Sequence, residues 1–238
     1  MKEFQKIGVI VAMEVEMEKI REAMDHVRKR SVSGMDFYEG TISGKIVVAA
    51  RCGVGKVCAA MCAQTMILKY KPDCILGAGI AGSLQGLAIG GVAVADQLVQ
   101  HDFDLTAFGY PAGYLPAVRR PELITDPEMT ETLLQLAAGL GFPKAAGTIV
   151  SGDSFISSRE QKDRILAAFP SAVACEMEGA AIAQVCVMNR LPFCVIRCIS
   201  DNGDEASKED YPAHEAMASA GSAAMVLAYI RGETRLGE

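Results

Sequence analysis

The chain has 238 residues, half of them hydrophobic and 22% charged, which is enough to bury a large core and too apolar for a disordered segment. Its formal net charge of −6 argues against a duplex-binding surface, which needs clustered Lys and Arg, so no nucleic-acid partner is expected. Eight Cys without a CxxC pair and three scattered His argue against a metal site, and point to reduced core thiols in a cytoplasmic protein.

The polar start Met1–Lys6 and the apolar run that stops at Glu14 do not form a secretory segment; Ile7–Ala12 reads as a buried strand. No stretch approaches the roughly 18 apolar residues of a membrane span. Glu14–Arg30 is expected as a helix, with Val15, Ile20, Ala23 and Met24 facing inward. Its basic end, Arg28-Lys29-Arg30, would be a solvated helix C-terminus. Phe37–Gly44 reads as a hairpin turn leading to a strand at Ile46–Ala50. A helix at Lys56–Lys69 and strands at Cys74–Ala78 and Val92–Leu98 follow. Phe108–Pro121, rich in Gly, Pro and Tyr, has no period and reads as a long functional loop. A helix is then expected at Asp126–Leu140, a strand at Ala146–Val150 and a helix at Arg159–Phe169. The chain ends with a strand at Ala172–Cys175, a helix at Met177–Asn189, a strand at Phe193–Ile199 and a helix at Ala213–Ile230.

This alternation predicts an α/β fold as one domain over residues 1–238, with a central mixed, twisted sheet and helices on both sides. In such folds ligands collect beyond the carboxyl ends of strands. Four segments at strand ends carry candidate chemistry. Glu14 and Glu16 open the first helix, where acidic residues also simply complement the dipole. Gly77-Ala78-Gly79-Ile80-Ala81-Gly82 matches G-x-G-x-x-G, but a turn into a strand follows instead of a helix, which excludes a dinucleotide site. Glu176 and Glu178 follow a buried strand and start a helix of small residues. Arg197 interrupts a buried strand and needs an anionic partner, with Glu16 and Glu178 as candidates. Asp201 ends that strand; before Asn202-Gly203 it reads equally as a turn residue. Ser151–Ile156 adds an aromatic face for a flat ligand at Phe155.

Seven segments, in order and over nearly the whole chain, carry a resemblance. They are IGVIVAMEVEME (7–18), CGVGKVCAA (52–60), AGIAGSL (78–84), HDFDLTAFGY (101–110), SGDSFI (151–156), CEMEGAAIAQVC (175–186) and RCISD (197–201). The sequence resembles the bacterial 5′-methylthioadenosine/S-adenosylhomocysteine nucleosidases of the nucleoside phosphorylase superfamily. The resemblance implies a nucleoside phosphorylase-like fold and hydrolysis of an adenine nucleoside without a cofactor or metal. It implies that Glu16 orients the attacking water, Glu178 binds the ribose hydroxyls and Asp201 faces N7 and the exocyclic amine of adenine. Arg197 would be the structural cation beside Glu178. Phe155 and Ile156 would stack on and hydrogen-bond the base. Met13 and Met177 would flank the sugar and alkylthio group, and Tyr211 stands at an aromatic position that is Phe in the best-known members. Ile80, Gly82, Glu176 and Ser200 complete the implied substrate contacts. Leu105, Phe108 and Pro116 match a loop, 105–116, that completes the neighbouring subunit's 5′ pocket, which implies a homodimer. The chain departs from the family at Ile80, where a polar Ser is familiar, and in the polar Asn202-Gly203-Asp204.

Against phosphorolysis, phosphorylase relatives carry an Arg after the first strand and another before the Gly-rich turn. Here those regions offer Glu14, Glu16 and Glu18, and Leu76 and Gly77. A nucleosidase for aminodeoxyfutalosine or futalosine would use the same catalytic residues, although Asp201 favours a 6-amino purine. A non-catalytic nucleoside sensor would be expected to lose Glu16, Glu178 or Asp201, and all three are present. Methylthioadenosine, adenosylhomocysteine, 5′-deoxyadenosine and aminodeoxyfutalosine all remain candidate substrates.

Overall fold

A computed structural model describes residues 4–233. Met1–Glu3 of the polar start, and the last five residues of the domain read over 1–238, lie outside the described residues.

The chain opens with strand β1 (Lys6–Val11), helix α1 (Glu14–Glu22) and a three-strand meander, β2 (Asp25–Val32), β3 (Met35–Ile42) and β4 (Lys45–Arg51). Helix α2 (Lys56–Tyr70) leads to β5 (Cys74–Gly77), β6 (Ile80–Ser83) and β7 (Val92–Gln100). After a long irregular segment come β8 (Leu123–Ile124), α3 (Pro127–Gly139), β9 (Lys144–Ser151) and α4 (Arg159–Ala168). The last elements are β10 (Ala172–Glu176), α5 (Gly179–Asn189), β11 (Phe193–Asp201) and α6 (Ser207–Arg231).

All eleven strands join one mixed sheet in the order β2-β3-β4-β1-β5-β11-β6-β10-β9-β7-β8, and β11 also pairs with β7. The extra pairing closes β11, β6, β10, β9 and β7 into a ring. Strand β11 is the hub. Its first residues pair with β5, its middle with β7 and its end with β6, and every one of its residues is buried. A strand covered on both faces needs a continuous apolar run, and FCVIRCISD supplies one broken only by Arg197 and the terminal Ser200-Asp201. Helices α2 and α5 pack on one core and α1, α3 and α6 on another, so helices cover both sides as expected.

Two expectations fail near the start. The helix predicted over Glu14–Arg30 stops at Ala23, and His26 adopts a left-handed φ of 56°. Beyond Met24 the sequence offers one apolar residue at helical spacing, Val27, before the charged run 28–30; the chain turns back as β2, leaves Val27 exposed and pairs with β3. Arg28-Lys29-Arg30 is therefore an exposed edge strand, not a helix end. Its charges suit an edge, because they disfavour pairing with another chain. Phe37 is likewise no turn residue. It lies in β3, fully buried, and stacks on Tyr70 of α2 with centroids 5.3 Å apart; the turn is Ser43-Gly44. Strands β6 and β8 and the first turns of α6, through Pro212, were not legible. The 108–121 segment is irregular as expected, tied by a bridge between Leu115 and Arg120.

Replacing Phe37 by Ala should remove this contact and leave a cavity. Unfolding in urea should show a loss of about 3–5 kcal/mol.

Candidate active site

Three carboxylates gather at the site around one cation beneath them, and the sheet register explains why they meet. Cys175 of β10 and Asp201 of β11 both pair with Gly82 of β6, on opposite sides. Strand β10 runs antiparallel to β6, so its last residues return along β6 toward Arg197. Antiparallel register within the ring thus brings in the carboxylates that follow β10, while Glu16 and Asp201 come from the carboxyl ends of β1 and β11, which run parallel through β5.

Arg197 is 2% exposed, and its main partner is Glu176, whose Oε2 accepts from Nε at 3.1 Å and from Nη2. The Glu178 carboxylate lies 3.9 Å from Nη2. Burial works against the guanidinium charge, but Glu176, Glu178 and Glu16 more than offset it and raise the Arg197 pKa. Of the two partners expected from sequence, Glu178 is at ion-pair range and Glu16 acts through its field. Glu176 takes the hydrogen bonds because it also caps α5: the same oxygen accepts from the backbone of Glu178 (3.0 Å) and Gly179 (2.7 Å). Its other oxygen accepts from the Ser151 hydroxyl, which in turn accepts the Ala180 N–H at 2.7 Å. Glu176 reaches the cavity wall with both oxygens engaged.

Glu16 sits at the third position of α1, and its Oε2 accepts from the backbone N–H of Ala12 and of Met13, both at 2.9 Å. It closes its own helix start, as a capping-box glutamate does. A Cβ on Gly79 would come within 2.7 Å of its Oε1, so only glycine admits this approach. Desolvation raises the Glu16 pKa, while the Met13 N–H and Arg197 pull it down. Glu178, at the N-terminus of α5, accepts the Gly55 N–H at 2.8 Å. Desolvation, then the charge of Glu176, pushes its pKa up to about 7 against the pull of Arg197 and Gly55.

Across the cavity stands Asp201, 2% exposed. Its carboxylate accepts from the Ser200 hydroxyl (2.8 Å) and from the Gly203 N–H (2.9 Å), so it is a turn residue and a wall residue at once. Gly203 takes the left-handed φ of 63° that this turn needs.

These groups line a cavity of about 450 Å³ with Met13, Ile80, Gly82, Phe155, Met177, Ser200 and Tyr211. The Phe155 and Tyr211 rings meet edge to face at 5.5 Å. The Tyr211 hydroxyl donates to Glu215 Oε1 at 3.1 Å, with Met13 Sδ 3.2 Å away. The apolar walls suit a flat ligand, and the polar atoms fix its ends. Two predicted residues stand behind the wall: Arg197, under Glu176, and Ile156, packed with Leu84 and Cys175. Three others do not reach the cavity of this chain: Leu105 is half-buried, Pro116 exposed, and Phe108 78% exposed. Sequence reasoning missed Ala12, Val54, Ala81, Cys175, Lys208 and Pro212 on the wall, and Gly55 behind Glu178. Gly55 was legible only as a glycine in CGVGK; its φ of 98° is what that residue type permits.

The Phosphorylase superfamily model matches residues 6–231. A 5′-methylthioadenosine/S-adenosylhomocysteine nucleosidase of Shewanella loihica is 39% identical over 228 residues, covering 95% of this chain and 99% of that protein. The crystal structure of the Neisseria meningitidis nucleosidase of that name, in complex with methylthio-immucillin-A, matches with a TM-score of 0.93 at 38% identity, covering 96% and 99% of the two chains. A futalosine hydrolase of Helicobacter pylori matches with a TM-score of 0.90 at 34% identity, covering 96% and 97%.

Two outcomes follow from the electrostatics. Arg197→Met should leave three buried carboxylates without their cation and cost about 3–5 kcal/mol in denaturant unfolding. For Glu178, the folded protein holds its proton up to about pH 7, above the ordinary 4.5. The unfolded chain releases that proton first, so this group's contribution to stability is full below 4.5 and is lost as pH rises through about 7. Wild type should therefore lose stability relative to Glu178→Gln over this range, measured by unfolding across pH.

Proposed function

The chain belongs to the phosphorylase superfamily and, within it, to the 5′-methylthioadenosine/S-adenosylhomocysteine nucleosidases, and on that premise we propose how its residues divide the work of the reaction. The protein hydrolyses the N-glycosidic bond of 5′-methylthioadenosine and S-adenosylhomocysteine, releasing adenine and the 5-thioribose product. The bond breaks through an oxocarbenium-like ribosyl transition state, with groups working on opposite sides of it, by analogy with glycoside hydrolysis. Adenine is a poor leaving anion unless N7 is protonated. Asp201 supplies or shares that proton and accepts from the exocyclic amine. Its fixed hydrogen bonds to Ser200 and Gly203 support this orientation.

Glu16 takes the proton of the attacking water. One of its oxygens is held by two backbone N–H groups, and its raised pKa strengthens it as a base. Glu178 binds the ribose hydroxyls and, in its charged form, stabilises the positive sugar. Phe155 stacks on the base, and Met13, Met177 and Tyr211 border the sugar and its 5′ group.

The observation that carries the choice of water is the charge balance: four carboxylates, Glu16, Glu176, Glu178 and Asp201, line the cavity, against Arg197 beneath the wall and the exposed Lys208 on it. A phosphate dianion entering beside them would meet net repulsion, whereas a neutral water and a cationic sugar would not. The reading extends to a homodimer in the cytoplasm, in which Leu105, Phe108 and Pro116 complete the partner's 5′ pocket. The exposed aromatics Phe103, Phe108 and Tyr110 support it, as apolar surface that a second subunit would cover. Among the described residues no helix is long and apolar enough to cross a membrane.

Adenine release should proceed at the same rate with and without phosphate. A strict phosphate requirement, with a ribose 1-phosphate product, would sink the hydrolytic reading. Asp201→Asn should lower kcat by roughly 10²–10⁴-fold while leaving the affinity for a nucleoside analogue nearly intact.

A further inference from the structure

Beyond the cavity wall, three loops are bolted together by one lysine. The Lys56 ammonium is held by Asp102, with Asp153 Oδ2 3.9 Å away, and its side chain is only 15% exposed. The Lys56 backbone N–H donates to Asp153 Oδ1 at 2.8 Å, and the Asp153 N–H donates to Asp102 Oδ2 at 2.9 Å. The three residues thus close a ring of hydrogen bonds and ion pairs across loops that are distant in sequence. Both ends of this ring touch the site. Gly55, one residue before Lys56, donates to Glu178, and Asp153 lies two residues before Phe155. A side chain on Gly55 would come within 3.2 Å of Asp153 Oδ1, so the two loops are in direct contact.

We infer that Lys56 is a positioning residue for this reaction, fixing the sugar-binding carboxylate and the base-stacking loop as one unit. It touches no substrate. Through Gly55 it holds the N–H that favours the charged form of Glu178, and through Asp153 it holds the loop that carries Phe155. Asp102 adds a link to segment 105–116, which begins three residues later. The inference rests on the proposed roles of Glu178 and Phe155.

The groups facing Glu178 are Glu176 of β10, Arg197 of β11, Glu16 of α1, and Cys52 with the Gly55 N–H before α2. Releasing Gly55 removes one of the two influences that lower the Glu178 pKa and leaves the others in place. Lys56→Met and Asp102→Asn should each move upward the acid limb of kcat/KM at which Glu178 ionises. Lys56→Met should also lower kcat/KM for 5′-methylthioadenosine about 10–100-fold. A purely structural role would lower the melting temperature and the activity without moving that limb. Adenine alone is the second probe: its Kd, measured calorimetrically, should weaken about tenfold in Lys56→Met as the Phe155 loop loosens. A wild-type limb in both variants overturns the inference. An unchanged adenine Kd overturns it as well, and that measurement stands even if the wild-type protein releases no adenine, the result that would instead sink the proposed reaction.

Discussion

The guanidinium of Arg197 is the interaction on which the rest of the site depends. It lies inside a fully buried strand that pairs with β5, β6 and β7, where an unpaired charge would be very costly. Its cost is offset by Glu176, and Glu176 is itself anchored by the start of α5 and by Ser151. A single buried cation therefore fixes β10, β11 and α5 relative to one another. Glu16 and Glu178 then stand in its field without hydrogen bonds to it. They remain titratable, which chemistry requires, whereas Glu176 is fully committed to structure.

The division between committed and available carboxylates was only partly readable in the sequence. Glu16, Glu178 and Asp201 stood out because each follows an apolar run. Glu176 stood out equally, but nothing in CEMEG says which glutamate pairs with Arg197. That choice depends on the antiparallel register of β10 against β6, a pairing distant in sequence. The same limit explains β6, whose Ile80-Ala81-Gly82-Ser83 is too short and too rich in small residues to announce a strand. Arg28–Arg30 misled for a different reason. A charged edge strand and a charged helix end have the same composition, and only the left-handed turn at His26 separates them.

The resemblance to known nucleosidases supplied the roles, and the geometry supplies reasons for them. Ile80, the departure from the familiar Ser, lines the cavity and leaves no side-chain donor there. Its backbone still acts on Glu16, lowering that carboxyl's pKa. Main-chain donors from Ala12 and Met13 thus hold a carboxylate that, among the described residues, takes no hydrogen bond from a side chain.

Glu16 also closes the first turn of its own helix, and this has a consequence for how the chain can change over generations. Replacing it removes a reactive group and a helix stop in one step. Selection on folding alone would then retain a glutamate at this position, even in a descendant that had abandoned catalysis. Persistence of Glu16 among distant copies is therefore weak testimony to activity. Loss of Asp201, whose local partners are a hydroxyl and a single turn N–H, would be the earlier and clearer sign that a lineage had ceased to be an enzyme.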